Sequence, residues 1–322
     1  MGDPFAGLSA SERGLLRRAP LPERVEPMKA VLAHQPFSDP GWLYERKLDG
    51  IRCVAIKGRG RLRLLSRNDL SLNQRYPELV EALRRDAADG FVVDGEVVAF
   101  ERGRTSFARL ARRGRERVAV FLYVFDLLHL GRHDVTALPQ RSRKALLRHA
   151  LSFHGHVRLT PHRNRDGERL YHDACRRGWE GLIAKRADAP YVHARSQDWL
   201  KLKCQAAQEL VIGGFTAPKG SRQELGALLL GHWRDGSFVY AGKVGTGFDA
   251  ATLRDLARRL RPLRRERSPF DAGDPPARDT TWVEPELVAQ IAFTEWTRDG
   301  RLRHPRFLGL REDKPAREVV RE

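Results

Sequence analysis

The sequence is poor in cysteine, since its 322 residues include only Cys53, Cys175 and Cys204. These three residues form no C-x-x-C pair and no cluster with histidine. Paired spacings of that kind are typical of disulfide-rich secreted domains and of structural zinc sites. The sequence therefore predicts neither a disulfide framework nor a zinc module, and a reducing cytoplasm fits this cysteine usage.

Long apolar runs are also missing. The longest run, residues 118–125, has eight residues, whereas a helix that spans a bilayer needs about 20. The first residues do not show the basic and then apolar pattern of a secretory signal. We therefore expect a protein of the cytoplasm with no membrane partner.

Acidic residues are outnumbered, with 41 Asp and Glu against 59 Lys and Arg, and the formal net charge is +18. Such an excess favours a polyanionic partner, because a basic surface attracts phosphates; solubility alone is the alternative explanation. Lysine is scarce as well, since only ten of the 59 basic residues are lysines. Only lysine can lose its proton at reasonable cost and attack an electrophile, so each lysine is a candidate for chemistry.

The length suggests two domains, with one large domain as the alternative. The patterning predicts a first domain over 1–205, with an irregular lead-in over 1–26, and a second over 206–322. In the first, β-like patterning predicts strands over 42–47, 51–57, 61–65, 91–93, 96–100, 181–185 and 199–203, and a continuous apolar run predicts a buried strand over 118–125. Helices are predicted over 76–85, 138–150 and 169–177. The second resembles a small five-stranded barrel, with strands over 210–215, 227–233, 238–244 and near 288–296, a helix over 250–260 and an exposed loop over 262–278.

The segment from Glu45 to Arg52, E-R-K-L-D-G-I-R, places Lys47 at a strand end beside the turn Asp49-Gly50. A lysine with an ordinary pKa of about 10.4 is mostly protonated at neutral pH, so its use as a nucleophile requires burial or neighbouring cations that lower the pKa. The later lysines could supply that charge. Taken alone, K-x-D-G is more typical of an ordinary hairpin turn.

Other short motifs follow this segment in order. They are Ser66-Arg67-Asn68, Asp94-Gly95-Glu96, Tyr123-Val124-Phe125-Asp126, Glu180-Gly181-Leu182-Ile183-Ala184-Lys185, Trp199-Leu200-Lys201-Leu202-Lys203, Gly242-Lys243-Val244-Gly245 and Arg311-Glu312-Asp313-Lys314. The ordered set resembles the motifs of ATP-dependent DNA ligases, and in particular the ligase module of bacterial multifunctional end-joining proteins. The resemblance extends over roughly residues 27–322. It implies an α+β fold, in which a nucleotidyltransferase (adenylation) domain of antiparallel sheets and helices precedes an OB-fold β-barrel.

The resemblance also implies catalytic roles. Lys47 would attack the α-phosphate of ATP and hold AMP covalently. Lys201 and Lys203, two apart on a strand and so on one face, would neutralise the α-phosphate; a basic strand edge is the alternative. Glu96 and Glu180 would organise Mg²⁺, with Mn²⁺ as an alternative, because this metal prefers hard oxygen ligands.

Further residues match nucleotide-binding positions of the family. Phe125 would stack on the adenine, although core packing competes with that interpretation. Arg52 and Arg67 would contact ribose or phosphate, and Glu45 would lie beside the purine edge if its strand is regular. Lys185 would support the phosphates, with a simple salt bridge as the alternative.

The resemblance also implies roles for a residue that contacts DNA and for a motif near the end of the chain. The resemblance assigns a nucleic-acid contact to Asp49. Arg311, Asp313 and Lys314 resemble the terminal R-x-D-K motif, which acts on ATP during enzyme adenylylation; an ordinary charged tail is the alternative. Arg311 would bind the nucleotide, and Asp313 and Lys314 would be catalytic.

The function that the resemblance implies is ATP-dependent joining of 5′-phosphate to 3′-hydroxyl breaks in duplex DNA, in repair or end joining. An RNA ligase or a capping-type nucleotidyltransferase shares the K-x-D-G chemistry, and a non-catalytic OB protein would explain the charge alone. We expect nicked or broken duplex DNA as the partner, possible contacts with end-joining proteins, a monomer, and a place at the bacterial nucleoid.

Overall fold

The computed structural model describes residues 3–33, 35–85, 90–204, 206–218 and 224–321. The chain divides into two compact units, Met1–Cys204 and Gln205–Glu322. No helix in these ranges is both long enough and apolar enough to cross a bilayer.

The first unit combines many strands with short helices. Its helices are α1 (Ala10–Arg13), α2 (Pro77–Arg84), α3 (Phe107–Ala111), α4 (Gln140–Ala150) and α5 (Gly167–Arg176), with a 3₁₀ turn at Arg112–Gly114. Its strands are β1 (Arg17–Arg18), β2 (Lys29–Leu32), β3 (Trp42–Lys47), β4 (Ile51–Gly58), β5 (Arg61–Ser66), β6 (Phe91–Glu101), β7 (Arg104–Thr105), β8 (Val120–Leu130), β9 (His133–Asp134), β10 (Val157–Leu159), β11 (His162–Arg163), β12 (Gly181–Arg186) and β13 (Arg195–Lys203).

These strands form two sheets. The first has the order β1-β9-β8-β6-β4-β5, with β10 beside β8 and β7 beside β6, and the second has the order β11-β3-β12-β13-β2. The pairing is antiparallel except for β10 with β8 and β13 with β2. The α+β class with largely antiparallel sheets therefore agrees with the prediction.

One strand is longer than the sequence predicts. The break expected at Asp94-Gly95 does not occur, and β6 runs unbroken through both residues. A buried aspartate is tolerated in the strand because its carboxylate is satisfied: Arg52 donates to both oxygens at 2.6 Å, and the Tyr191 hydroxyl donates at 2.7 Å. The separate strands over 91–93 and 96–100 were thus a wrong prediction.

The lead-in is also more regular than expected. Ser9 and Glu12 form a capping box that starts α1, and Arg17 of β1 pairs with Asp134 of β9. The two residues of β1 therefore extend the first sheet.

The second unit is a barrel-like sheet with an inserted helix. Its elements are β14 (Ala206–Thr216), β15 (Leu228–Arg234), β16 (Ser237–Val244), α6 (Ala250–Leu260), β17 (Arg264–Arg265), β18 (Thr280–Val283), β19 (Val288–Phe293) and β20 (Arg306–Arg311), with 3₁₀ turns at Arg261–Leu263 and Ala316–Glu318. The order is β16-β15-β14-β18-β17, and β19 joins β14 to β20. The short strands β17 and β18 bring the sheet to seven strands in the described residues, two more than predicted.

Closure of this barrel is visible at its edges. The Phe307 amide of β20 donates to Thr246 O, just after β16, at 3.0 Å, and the Leu302 amide donates to Ala241 O at 2.9 Å. Helix α6 has the predicted bounds, and its Asp249 N-cap accepts from the Thr252 amide. The segment predicted as an exposed loop, 262–278, includes β17, and its Phe270 stacks on the buried Phe238 with ring centroids 4.7 Å apart.

The cysteine prediction was wrong for one pair. Cys175 on α5 and Cys204 at the end of β13 form a disulfide, with Cα atoms 5.2 Å apart. They are 29 residues apart in sequence, and only the packing of α5 on the second sheet brings them together. Cys53 is buried and free.

Candidate active site

The candidate site lies in the first unit, where β3 of one sheet leads into β4 of the other. The strand β3 ends at Lys47, and the chain turns at Asp49-Gly50. A Cβ atom on Gly50 would lie 2.1 Å from Val97 O, so only glycine fits where this turn passes β6. The K-x-D-G spacing therefore places the lysine at the junction of the two sheets.

Lys47 has carboxylates around it. Its Nζ donates to Glu180 Oε1, and the exposed fractions of the two side chains are only 19% and 17%. Burial lowers the pKa of the Lys47 amine, but the charges of Glu180, Glu96 and Asp49 outweigh burial, so the net pKa is raised. The expectation that cations depress this pKa is wrong for the structure, because the charge in direct contact is negative.

The two predicted metal-binding carboxylates are close to this amine. Glu180 precedes β12, and its second oxygen, Oε2, is buried with no hydrogen-bond partner in the described residues. Glu96 on β6 lies near enough to raise the pKa of Lys47. Burying a carboxylate oxygen without a hydrogen-bond partner costs free energy of folding unless a ligand binds to that oxygen. The pair thus fits a divalent cation held by hard oxygen donors.

The described residues hold no group of three or more His, Cys, Asp or Glu side chains of the kind that forms a complete protein cage for a metal. Mg²⁺ does not require one, because it is usually bound through one or two carboxylates together with waters and substrate phosphates. The two carboxylates beside the Lys47 amine are therefore a suitable donor set.

The strand register aligns the two lysines of β13 with the site. Lys203 pairs with Gly181 of β12, and Gly181 pairs in turn with Lys47 of β3. Lys201 pairs with Ile183 of β12, and Ile183 pairs in turn with Glu45 of β3. Residues directly opposite across a sheet share one face. Lys201 and Lys203, both half-buried, therefore lie on the face that carries Lys47.

Glu45 is held by two lysines, one of which sequence reasoning missed. The residue is 2% exposed. Its carboxylate accepts from Lys144 Nζ, while Lys185 Nζ lies 2.9 Å from the other carboxylate oxygen. Burial raises the pKa of Glu45, but the two lysines outweigh it and the net pKa is lowered. Lys144 also donates to Phe125 O at 3.2 Å.

Helix α4 positions Lys144. The neighbouring Arg143 is fully buried and forms a two-point ion pair with Asp126 of β8, at 2.9 and 3.0 Å. This pair fixes the helix on the first sheet, so Lys144 reaches Glu45 of the second sheet. The scarcity of lysine is the sequence signal that could have singled it out.

Phe125 occupies a bulge. Asp94 pairs with Asp126 and Gly95 pairs with Val124, so Phe125 is the extra residue of β8. Its ring is buried in an apolar cluster and lies under Lys185 Nζ, 4.2 Å from the ring centroid. The structure thus shows both core packing and a place beside the site lysines.

Lys185 is a buried amine with an altered pKa. Burial, partly offset by Glu45 and reinforced by Lys144, lowers the pKa of Lys185 to about 8. Its Nζ also lies 4.1 Å from the Trp199 ring centroid. A salt bridge, the alternative that the sequence analysis gave without a partner, is present in the structure, and its partner is Glu45.

Three further predicted site residues differ in the contacts that their side chains make with the described residues. Arg52 is bound to Asp94 and lies over the Phe125 ring at 4.8 Å. Arg67, on the turn after β5, is half-buried and its side chain forms no hydrogen bond or ion pair with the described residues. Asp49 accepts from the Phe107 amide at 2.9 Å, which ties the turn to the start of α3.

The terminal motif forms a charged cluster within the second unit. Arg311 donates to both oxygens of Asp313, at 2.8 and 2.7 Å, and to Gln290 Oε1 at 3.3 Å. Lys314 Nζ lies 3.4 Å from Glu209 Oε2. Asp313 is buried, so this motif is an ordered part of the barrel and differs from a solvated tail.

Comparison with known proteins identifies the class. Residues 21–203 match the family model described as "ATP dependent DNA ligase domain", and residues 221–314 match the "ATP dependent DNA ligase C terminal region". The first match covers more than half of the chain, which therefore belongs to the ATP-dependent DNA ligase family. This membership supports a DNA ligase enzyme with a nucleotidyltransferase domain and an OB-fold over the RNA-ligase, capping and binding-protein alternatives.

Within that family, the chain is similar to LigD proteins. It is 41% identical over 316 residues to the "Multifunctional non-homologous end joining protein LigD" of Pseudomonas aeruginosa, and 40% identical over 290 residues to the LigD of Mycobacterium tuberculosis H37Rv. These matches cover 95% and 87% of this chain but 37% of each relative. The solved "mycobacterial DNA ligase D complexed with ATP and MES" is 35% identical, with a TM-score of 0.68 and coverage of 92% of this chain and 98% of that one.

Proposed function

We propose that the chain seals 5′-phosphate/3′-hydroxyl breaks in duplex DNA through an enzyme-lysyl-AMP and a DNA-adenylate. The observation that carries this proposal is the position of Lys47, a partly buried amine between the carboxylates of Glu180 and Glu96 and on the sheet face that carries Lys203. A surface lysine at a hairpin turn would not have these neighbours.

In the first step, the Lys47 amine loses a proton and attacks the α-phosphorus of ATP. A P–N bond forms, the bond to pyrophosphate breaks, and pyrophosphate leaves with the displaced electron pair. Glu180 accepts the Lys47 hydrogen bond and is the nearest base. Lys201 and Lys203 stabilise the charge that develops on the phosphate oxygens.

In the second step, an oxygen of the DNA 5′-phosphate attacks the same phosphorus and the Lys47 nitrogen leaves with a proton. In the third, the 3′-hydroxyl loses its proton to solvent and its oxygen attacks the DNA 5′-phosphorus; a phosphodiester forms, the bond to AMP breaks, and AMP leaves with the displaced electron pair. The site residues hold these groups in line and exclude water, so that each bimolecular displacement becomes effectively unimolecular.

We propose that Glu96 and Glu180 hold Mg²⁺, with Mn²⁺ as the alternative. The unpartnered Glu180 Oε2 supports this assignment. When bound, the cation would polarise phosphate oxygens and neutralise the two carboxylates.

The remaining roles follow the family positions. Phe125 supports the adenine, and Arg52 and Arg67 contact ribose or phosphate; the half-buried Arg67, with no hydrogen bond or ion pair to the described residues, suits an anionic ligand. Glu45, held between Lys144 and Lys185, lies beside the purine edge, and Lys185 supports the phosphates.

We propose that Asp49 contacts DNA and that Arg311, Asp313 and Lys314 act on ATP during adenylylation. In this proposal, residues 1–205 serve as the adenylation domain and residues 206–322 as the OB domain.

We also propose a role in non-homologous end joining, in the cytoplasm at the bacterial nucleoid, as a monomer in contact with end-joining proteins. The names of the similar proteins support this role, as does the net charge of +18.

The test is direct. The purified chain is incubated with ATP, Mg²⁺ and a nicked duplex whose 5′-phosphate is radiolabelled, and the products are separated on a denaturing gel. A joined strand that resists phosphatase is expected. Labelling of the protein by GTP in preference to ATP, with no joined DNA, would contradict the proposal.

A further inference from the structure

A basic groove lies at the other end of the first sheet. Its volume is about 1250 Å³, and it is lined by the β4–β5 hairpin, the loop after β8 and the segment Pro20–Glu23. We call it the arginine groove after its five arginines, Arg18, Arg59, Arg61, Arg63 and Arg132.

Among the described residues, few acidic groups balance the charge of the groove. All five arginines are exposed, and none forms an ion pair with an acidic residue in the part of the chain that the structure describes. The only acidic residue on the described lining is Glu23. The groove therefore concentrates positive charge that ion pairs within the described residues do not neutralise.

The groove is also a fixed surface. The Ala19 amide donates to Arg132 O at 3.0 Å, and Arg63 donates to Pro22 O at 3.2 Å. Leu21 packs against the apolar core and lies close to Gly58. A Cβ atom on Gly58 would lie 2.1 Å from a methyl carbon of Leu21. A rigid wall reduces the entropy lost when a ligand binds.

The distance from the candidate site follows from β4. Arg52 lies beside the site and Gly58 lines the groove, six residues further along the strand. At about 3.3 Å per residue the separation is roughly 20 Å. This distance corresponds to about six base pairs of duplex, at about 3.4 Å each.

We propose that the arginine groove binds the phosphate backbone of duplex DNA at a distance from the break. Guanidinium forks bind phosphate oxygens through two parallel hydrogen bonds, and a duplex backbone can present several phosphates at once to the five arginines of the groove. An acidic polypeptide is less suited, because its carboxylates have no fixed spacing. The inference rests on the proposed joining of duplex DNA.

The test uses a triple variant, Arg18→Ala/Arg61→Ala/Arg132→Ala, which leaves the wall-holding Arg63 in place. A matched control, Arg85→Ala/Arg169→Ala/Arg176→Ala, removes the same charge from exposed positions outside the groove. Binding of a fluorescent nicked duplex with long arms is measured by anisotropy over a range of salt concentrations. Self-adenylylation with ATP alone is measured in parallel.

The groove variant should bind the long duplex about tenfold more weakly than the control. The slope of log K against log salt should be smaller in magnitude by about 2 to 3, because each lost phosphate contact removes about 0.9 from that slope. Adenylylation should equal that of the control. A hairpin-capped nicked duplex with arms of about four base pairs should show little difference, because such arms span only about 14 Å.

Equal binding by the two variants would overturn the proposal. So would a loss of equal size on the short-armed duplex, or an unchanged duplex affinity together with weaker binding of poly-glutamate, which would assign the groove to an acidic protein. Failure of the proposed function has a different signature, since wild-type protein would then form no AMP adduct and join no nick.

Discussion

Lys47 Nζ donates to Oε1 of Glu180, while Oε2 of the same carboxylate is buried and without a hydrogen-bond partner in the described chain. The contact joins the end of β3 to the start of β12, where Lys47 pairs with Gly181. In this state the nucleophile proposed for the first step is held as an ammonium ion, because the carboxylate raises its pKa. Glu180 therefore affects both the charge of the amine and the binding of a cation.

Glu180→Gln should move the pH profile of self-adenylylation to lower pH. With Glu180 present, the raised pKa of Lys47 means that the rate should increase about tenfold per pH unit through neutral pH, as the reactive neutral amine becomes more populated. Removal of the negative charge lowers that pKa, even though the maximal rate also falls. The control is Glu81→Gln, an exposed carboxylate on α2. A profile that does not move would contradict a Glu180-dependent pKa.

Lys144→Met should destabilise the first unit. It leaves the buried Glu45 with Lys185 as its partner, and the loss of one partner of a buried ion pair costs about 3–5 kcal/mol. The double variant Glu45→Gln/Lys144→Met should recover part of this loss, because the buried charge is then removed. Urea unfolding measures both values. A double variant that is less stable than Lys144→Met alone would contradict this electrostatic account.

Asp313→Ala should impair adenylylation of the enzyme far more than the sealing of a nick that already carries AMP. The carboxylate holds Arg311 by two hydrogen bonds, and the terminal motif is proposed to act only on ATP. The two steps are assayed separately, with Glu318→Ala as a control on the 3₁₀ turn that follows. Equal losses in both assays would show that the motif does not belong to the first step.

Binding of a nicked duplex should weaken steeply with ionic strength. Each phosphate neutralised by a basic residue contributes about −0.9 to the slope of log K against log salt, and the chain carries a net charge of +18. Titrations at several salt concentrations give the slope. A slope near zero would rule out an electrostatic grip on the backbone.

Elements with strong local signals were predictable from the sequence. Strand β3 and helix α6 have the predicted bounds, because alternation before Asp49-Gly50 and the Asp249 N-cap are local features. The strand β6 was not predicted as one element, because Asp94-Gly95 is typical of a turn. The hydrogen bonds that Arg52 and Tyr191 donate to the Asp94 carboxylate come from residues distant in sequence, so no local pattern indicates them.

The site was predictable in part. The motif order picked out Lys47, Glu180, Lys201 and Lys203, and the register places the three lysines on one face of the second sheet. Lys144 was missed because its role depends on where α4 packs, which only the buried Arg143–Asp126 pair reveals. The direction of the Lys47 pKa shift depends on a contact between side chains 133 residues apart, which no local pattern reports.

The most direct measurement of the central claim is the intact mass of Lys47→Arg after incubation with ATP and Mg²⁺. Arginine keeps the charge beside Glu180 but does not deprotonate under these conditions, so it cannot act as the nucleophile. The variant should gain no mass, whereas the wild type gains one AMP, and the variant should still seal a nick that already carries AMP on its 5′-phosphate. An AMP-sized mass increase on Lys47→Arg would show that another residue is the nucleophile and would contradict the account.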